Sequence, residues 1–316
     1  MKKRIIPLIL CLLLAAVPVY GAEDKASSLV EEAAALMEDE RYEAALVPLL
    51  EAVELGDAAA QNRLGYCYMK GLGVEQDIEE GVKYFRLAAD QGLDKAQFNM
   101  GERYFFGDGV EQNYEEAVKY YQLAADQGLA LAQSSLADCY YNGFGVEQDF
   151  EEAIKYYLLA ADQGEPTAQF SLGNLYYAGE VVEQDYEKSF EYTRLAAEQG
   201  NAAACYNLGW DYYYGEGVEQ DYEEALKYFQ LAADQGHLSA IFIIGDCYYF
   251  GLGVDQDLEE AARWYEKALD AGYEPDEEDQ EHLIAVLGEG YSLNKGGKEA
   301  TDAGDYETDK TDKTVR

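Results

Sequence analysis

The side chains of this 316-residue chain that could do acid/base, nucleophilic or metal chemistry are few in kind and repetitive in placement. Its two histidines, His237 and His282, have no spacing that pairs either with a nucleophile or with a second metal ligand. Carboxylates are abundant, but Glu79-Glu80, Glu115-Glu116, Glu151-Glu152, Glu223-Glu224 and Glu259-Glu260 each follow an Asp or Asn that reads as a helix start. The helix dipole and end-capping account for acids there, and an acid/base catalyst has no use for the same pair five times. The acidic turns of the type Gly71-Leu72-Gly73-Val74-Glu75-Gln76-Asp77 lack the alternating oxygen ligands and distant Glu of a calcium loop. They follow no strand, so they do not read as phosphate cradles either. The expectation is a protein with no catalytic residues, no metal and no cofactor, hence not an enzyme.

Charge narrows the partners. Against 23 Lys and Arg stand 63 Asp and Glu, a formal charge of −40. A nucleic-acid or anionic-membrane binder needs a basic face to displace counterions, so neither is expected, and a protein or peptide partner should be neutral or basic. With 48 % hydrophobic residues and 29 Tyr, the composition is that of a folded chain. Met1-Lys2-Lys3-Arg4 and the apolar run from Ile5 to Val19 read as a secretory signal cut after Gly21, too short for a comfortable membrane span of roughly 20 residues. Cys11 has no small residue before it, which argues against lipidation. The mature chain is therefore expected to be exported, to the periplasm, cell surface or medium, with no membrane span.

The elements that position these residues repeat. The turn at Gly71–Asp77 returns as Gly107-Asp108-Gly109-Val110-Glu111-Gln112-Asn113, 36 residues on, and keeps returning. Six units span 57–92, 93–128, 129–164, 165–200, 201–236 and 237–272 without insertion, the mark of stacked units that bury one another's apolar faces. In the first unit, helix A carries Ala60, Leu64, Cys67 and Tyr68 on one face and stops at Gly71, which suits a left-handed end. Asp77 starts helix B, Glu80 completes a capping box, and Ile78, Val82, Phe85 and Ala89 form the buried face. A small residue recurs in mid-helix A at Gly65, Gly101, Ala137, Gly173, Gly209 and Gly245; since Gly there costs ~1 kcal/mol relative to Ala, close approach of helix B is the expected reason. Residues 22–56 read as a capping helix pair (Ser28 to Met37 and Tyr42 to Leu55), 273–294 as a capping helix (Asp276 to Leu287), and 295–316 as a disordered tail.

The pattern Leu64-Gly65-x-x-Tyr68-x-x-Gly71-x-Gly73-Val74-x-x-Asp77-x-x-x-Gly81-x-x-Tyr84-Phe85-x-x-Ala88-Ala89-x-x-Gly92 resembles the Sel-one-like repeat, a relative of the tetratricopeptide repeat. Asn113 in place of the capping Asp and Val181 in place of a turn Gly are small departures. The resemblance implies an all-α fold, a right-handed superhelical solenoid of helix-turn-helix repeats with helix A lining the concave side, and a scaffold or adaptor role in protein interaction. One cysteine-rich branch of the family carries a disulfide in each repeat and includes penicillin-binding or penicillin-hydrolysing proteins. Here no repeat holds two of Cys67, Cys139, Cys205 and Cys247, so free thiols are expected and a cell-wall-directed enzyme of the penicillin-binding or β-lactamase type is the weaker alternative.

Within that frame an aromatic stripe on helix A is the candidate site. The sixth place of the unit holds Phe98, Phe170, Tyr206 and Phe242, and the thirteenth holds Phe105, Tyr141, Tyr177, Tyr213 and Tyr249. Seven residues apart, these share one helix face. Trp210 sits between the rows, Phe106, Tyr214 and Phe250 stand beside them, and Asn62, Asn142, Asn174, Asn207, Asp138, Asp211 and Asp246 line the stripe. The expected partner-binding set is Phe98, Tyr141, Phe170, Tyr177, Tyr206, Trp210, Tyr213, Phe242 and Tyr249. Two uses stay open: a groove for an extended peptide, with glycan as a further alternative, or stacking between successive repeats.

Overall fold

The computed structural model describes residues 22–288, so the expected leader at 1–21 and tail at 295–316 lie outside the described residues. Among the described residues the fold is all-helical. An N-terminal pair, α1 (Ala22–Glu38) and α2 (Tyr42–Glu54), precedes six hairpins: α3 (Ala58–Lys70) with α4 (Ile78–Asp90), α5 (Asp94–Phe106) with α6 (Tyr114–Asp126), α7 (Ala130–Asn142) with α8 (Phe150–Asp162), α9 (Pro166–Ala178) with α10 (Tyr186–Glu198), α11 (Ala202–Tyr214) with α12 (Tyr222–Asp234), and α13 (Leu238–Phe250) with α14 (Leu258–Asp270). The helix α15 (Glu277–Leu287) follows. Each helix packs on its neighbours in the chain, the arrangement of a solenoid. No described helix is long and apolar enough to cross a membrane. The first helix begins at Ala22 rather than Ser28, held by the buried Ala26 and by an ion pair between Lys25 and Glu51.

Each hairpin is closed by the same local chemistry. Helix A ends on a left-handed glycine, Gly71 at φ 69° in the first unit, and helix B starts on Asp77, whose carboxylate accepts from the Glu80 N–H at 3.0 Å. The reciprocal half of the expected capping box is not formed. The Asp77 N–H already donates to the Tyr68 carbonyl across the turn, which leaves the Glu80 carboxylate free to pair with Lys83 at 2.6 Å. The Gln of each turn is a clamp: Gln76, Gln112, Gln148, Gln184, Gln220 and Gln256 each donate a side-chain N–H, at 2.7–2.9 Å, to a carbonyl in the last turn of helix A. That supplies one of the partners a helix C-terminus lacks.

Helix B then seats its ring against the small residue of helix A. A Cβ built on Gly209 would lie 2.4 Å from the Phe229 ring, and one on Gly101 would lie 2.5 Å from Tyr121, so close approach is what the recurring glycine serves. Phe229, Tyr121 and Tyr265 are 0–1 % exposed, each burial contributing about 1.5–3 kcal/mol. A second aromatic layer accounts for many of the tyrosines. Tyr68 with Tyr84, Tyr104 with Tyr120, Tyr140 with Tyr156, Tyr176 with Tyr192 and Tyr212 with Tyr228 stack at 5.6–6.0 Å and within 14° of parallel, a geometry worth ~0.5–1.5 kcal/mol beyond area burial.

Candidate functional site

The thirteenth-place rings are anchored from below. Phe105, Tyr141, Tyr177 and Tyr213 each meet, edge to face at 5.0–5.6 Å, the ring that opens helix B of the same hairpin: Tyr114, Phe150, Tyr186 and Tyr222. Of these four only Tyr177 is strongly exposed, at 40 %. Tyr249 is covered instead by α15, whose His282 stacks on it at 5.5 Å. The exposed aromatic row lies one residue further on. Phe106, Tyr214 and Phe250, the last residues of their A helices, are 51–57 % exposed, because a 100° step round the helix takes them out from under helix B.

The sixth-place residues divide. Phe98 and Phe170 are half-buried, Phe98 lying 5.9 Å from the Tyr121 ring. Phe242 is 0 % exposed, under Tyr273 at 4.8 Å and beside Tyr265 at 4.8 Å. It is therefore a core residue and no partner contact: the C-terminal segment that caps the solenoid buries it. Tyr206 stacks on His237 at 4.3 Å and is 5.9 Å from Phe229. Trp210 joins Tyr206, Tyr213 and Tyr214 at 5.1–6.1 Å in one patch on α11. The fifth repeat thus gathers the densest half-exposed aromatic cluster of the helix A face.

Most of the acids expected along the stripe point inward. The Tyr157 hydroxyl donates to Asp138, Tyr121 donates to Glu102 at 2.6 Å, and Tyr265 donates to Asp246 at 2.7 Å. Burial pushes Asp138 up to about 6, against the lowering effect of its hydrogen bond from Tyr157. Asp246 is raised by burial too, opposed by the hydrogen bonds from Tyr265 and His282, whose Nδ1 is 2.9 Å away. Where helix B carries Phe at this position, Phe85 or Phe229, the helix A partner is aromatic, Tyr66 or Trp210; where it carries Thr193, the partner is Asn174. The variation at the tenth place therefore follows the buried ring 19 residues later. That pairing was visible in the sequence as co-variation between internal repeats. The asparagines also pair, Asn99 with Asn62 at 2.8 Å and Asn207 with Asn174 at 3.0 Å.

One acid is different. Asp211 is 4 % exposed, and its Oδ2 has no hydrogen-bond partner. Burial, then the neighbouring Glu216, push its carboxyl up to about 7. Glu216, in the turn after α11, lies close enough to Tyr177 to oppose ionisation of its hydroxyl, and has a buried Oε2 without a partner. The remaining chemistry-bearing side chains are structural. The His237 Nδ1 accepts from the Ala240 N–H as the N-cap of α13. Cys67, Cys139, Cys205 and Cys247 are buried free thiols, and burial pushes Cys67 up to about 11 and Cys139 and Cys247 up to about 12, which removes thiolate reactivity near neutral pH. No group of three or more His, Cys, Asp or Glu able to hold a metal ion exists among the described residues.

Comparison with known proteins agrees with this geometry. The Sel1 repeat family profile matches residues 58–93, 94–129, 130–165, 166–201, 202–237 and 238–273, each one residue later than the units counted above. A Sel1 repeat protein from Oxalobacter formigenes is 35 % identical, with 77 % of this chain and 99 % of that one covered and a TM-score of 0.71. A protective antigen present in uropathogenic Escherichia coli strains, displaying an SLR fold, is 36 % identical, with 77 % of this chain covered and a TM-score of 0.70. The match spans about half of that antigen, 51 % of its length. No curated protein matches.

Proposed function

The chain belongs to the Sel1-repeat family, and from that premise we propose that it is an exported, non-enzymatic scaffold that holds a protein or peptide partner on the helix A face. Sel1 repeats typically serve protein–protein interaction. The observation that carries the reading is the fifth-repeat cluster, in which Trp210, Tyr206, Tyr213 and Tyr214 adjoin on one face and Tyr214 is 56 % exposed. Half-exposed Trp and Tyr held rigidly in a cluster are the side chains that anchor protein interfaces. Net charge argues that the partner is neutral or basic. Export rests on Lys2-Lys3-Arg4 and the apolar run to Val19.

The test is capture of partners on the full chain and on a Tyr177→Ala/Trp210→Ala/Tyr214→Ala variant whose helicity and melting match the parent. Loss of defined partners by the folded variant supports the reading. Retention of every partner sinks it, and so does hydrolysis of a penicillin-type substrate by the purified chain.

A further inference from the structure

The eleventh and sixteenth places of the repeat form a pair that bridges the end of helix A and the following turn. It is Cys67 with Leu72, Cys139 with Phe144 and Cys247 with Leu252 in three repeats, and Leu175 with Glu180 in the fourth. In the second repeat it is an ion pair, Arg103 with Asp108. The fifth repeat holds two acids, Asp211 and Glu216, and burial first and then the charge of Glu216 push the Asp211 carboxyl up. Two like charges, one of them on a side chain 4 % exposed, are a costly combination at a pair of places that the other repeats fill with apolar residues, a salt bridge or, in the fourth, Leu175 beside an exposed Glu180. Asp211 Oδ2 and Glu216 Oε2 are both buried without a donor.

We propose that Asp211 and Glu216 form a recognition site for a guanidinium group, the side chain of an arginine carried by the bound protein partner. The site deepens the scaffold reading and rests on it. Four observations select the ligand. The missing component is a cation, because both unpartnered atoms are carboxylate oxygens. The second repeat shows that these two places accommodate a guanidinium, since Arg103 occupies one of them and pairs with the other. Two carboxylates with no third acid beside them among the described residues fall short of the six to eight oxygens of a calcium cage. A planar guanidinium has five N–H donors and accepts two carboxylates at once. Tyr177, 40 % exposed and within electrostatic reach of both Glu216 and Asp211, is the member of the site that a partner reaches first, and it comes from the preceding repeat, so an incoming arginine would bridge two repeats.

The experiment has two arms on the full chain. In the first, Asp211→Arg gives the fifth repeat the pair of the second; it is expected to melt above both the wild type and Asp211→Leu, the residue that the fourth repeat uses at this place. In the second, saturation-transfer NMR compares acetyl-Ala-Arg-Ala amide with the same peptide carrying citrulline, which keeps the shape and loses the charge. The wild type is expected to bind the arginine peptide at least tenfold more tightly, and Asp211→Arg and Asp211→Leu are expected to show no preference. Melting of Asp211→Arg at or below Asp211→Leu overturns the site. So does equal binding of the two peptides by the wild type, even with a stabilised Asp211→Arg, since the acid pair then serves only to hold a proton. If the Arg variant does not fold, Asp211→Leu carries the peptide comparison alone. Loss of partners by the aromatic variant alongside equal binding of the two peptides would sink this inference and leave the scaffold reading standing; retention of partners would sink that reading.

Discussion

The second and fifth repeats share one backbone and differ in how they treat their polar groups. In the second, the Tyr121 hydroxyl donates a hydrogen bond to Glu102, Arg103 pairs with Asp108 while its buried Nε has no partner, and Gln127 reaches across the hairpin to Gln97 at 2.7 Å. The fifth has Phe229 against Trp210, Asp211 beside Glu216, and Cys205 where the Gln acceptor would be. The second repeat balances its charges from within and leaves one buried guanidinium N–H, Nε of Arg103, unpaired, whereas the fifth leaves two carboxylate oxygens unpaired with no cation beside them. Identical stacking units need only the first solution. Of the three departures, the aromatic pair is shared with the first repeat (Tyr66, Phe85) and the missing Gln with the sixth (Ile241), so the unpaired acids are what set the fifth repeat apart.

The largest expected effect is one that should not distinguish the two repeats. Tyr121→Ala and Phe229→Ala each remove a ring that is 0–1 % exposed, and each should cost about 3–5 kcal/mol, read as a fall in the thermal midpoint. A much smaller loss in the fifth repeat would break the claim that both use the ring in the same way.

The next effect separates them by pH. The Asp211 carboxyl is raised from 3.8 to about 7, so between those values the folded chain keeps a proton that the unfolded chain has lost. Stability contributed by that proton is present at pH 4 and is lost as the pH climbs through 7. Glu216 and the Tyr177 hydroxyl are the titratable groups that share its surroundings. Asp211→Asn has no proton to lose, so its advantage over the wild type should grow from near zero at pH 4 to about 2–4 kcal/mol at pH 8. Melting curves at the two pH values check it, and an advantage that is constant or falls with pH would contradict the assignment.

Exchanging hydroxyls should produce a smaller, reciprocal pattern. Tyr121→Phe strips Glu102 of its donor, and Phe229→Tyr pushes a hydroxyl towards Trp210, where no carboxylate waits; each should cost about 1–2 kcal/mol. Adding Trp210→Asp to Phe229→Tyr rebuilds the pair of the third and sixth repeats, and a double-mutant cycle should return a favourable coupling of ~1 kcal/mol. Additivity would show that the tenth place varies independently of the ring beneath it.

The sequence was most legible where the physics is local. Gly71, Asp77 and the small residue at Gly65 announce their roles through contacts within a few residues or through a conformation that only glycine adopts cheaply, and all appear as expected. The site was harder to read because its decisive contacts cross the turn. Tyr213 is held by Tyr222, and Glu102 is taken up by Tyr121, pairings 9 and 19 residues apart that hydrophobic periodicity does not encode. Phe242 looked like a rung of the stripe until Tyr273, beyond the last repeat, covered it. The exposed row at Phe106, Tyr214 and Phe250 differs from the expected one by a single residue, and its direction depends on where helix B lies.

The smallest test concerns the clasp that closes the first four hairpins. Gln91, Gln127, Gln163 and Gln199 each donate to a Gln 30 residues earlier, Gln61, Gln97, Gln133 and Gln169, at 2.7–2.8 Å. In the fifth repeat Gln235 finds only the Leu231 carbonyl of its own helix at 3.2 Å, since Cys205 has no amide oxygen to accept it; its thiol only makes the contact to the Ala197 carbonyl that Gln97 makes to Ala89. Gln127→Ala should therefore cost ~0.5–1.5 kcal/mol, because it leaves the buried Gln97 amide oxygen without its donor. Gln235→Ala breaks no contact between helices and should leave the midpoint unchanged. Restoring the clasp with Cys205→Gln ought to make Gln235→Ala costly in turn. If that variant becomes more stable but captures less partner, the looser closure of the fifth repeat is part of how its surface is used; a gain in stability with unchanged capture would mean that the missing clasp is incidental to binding.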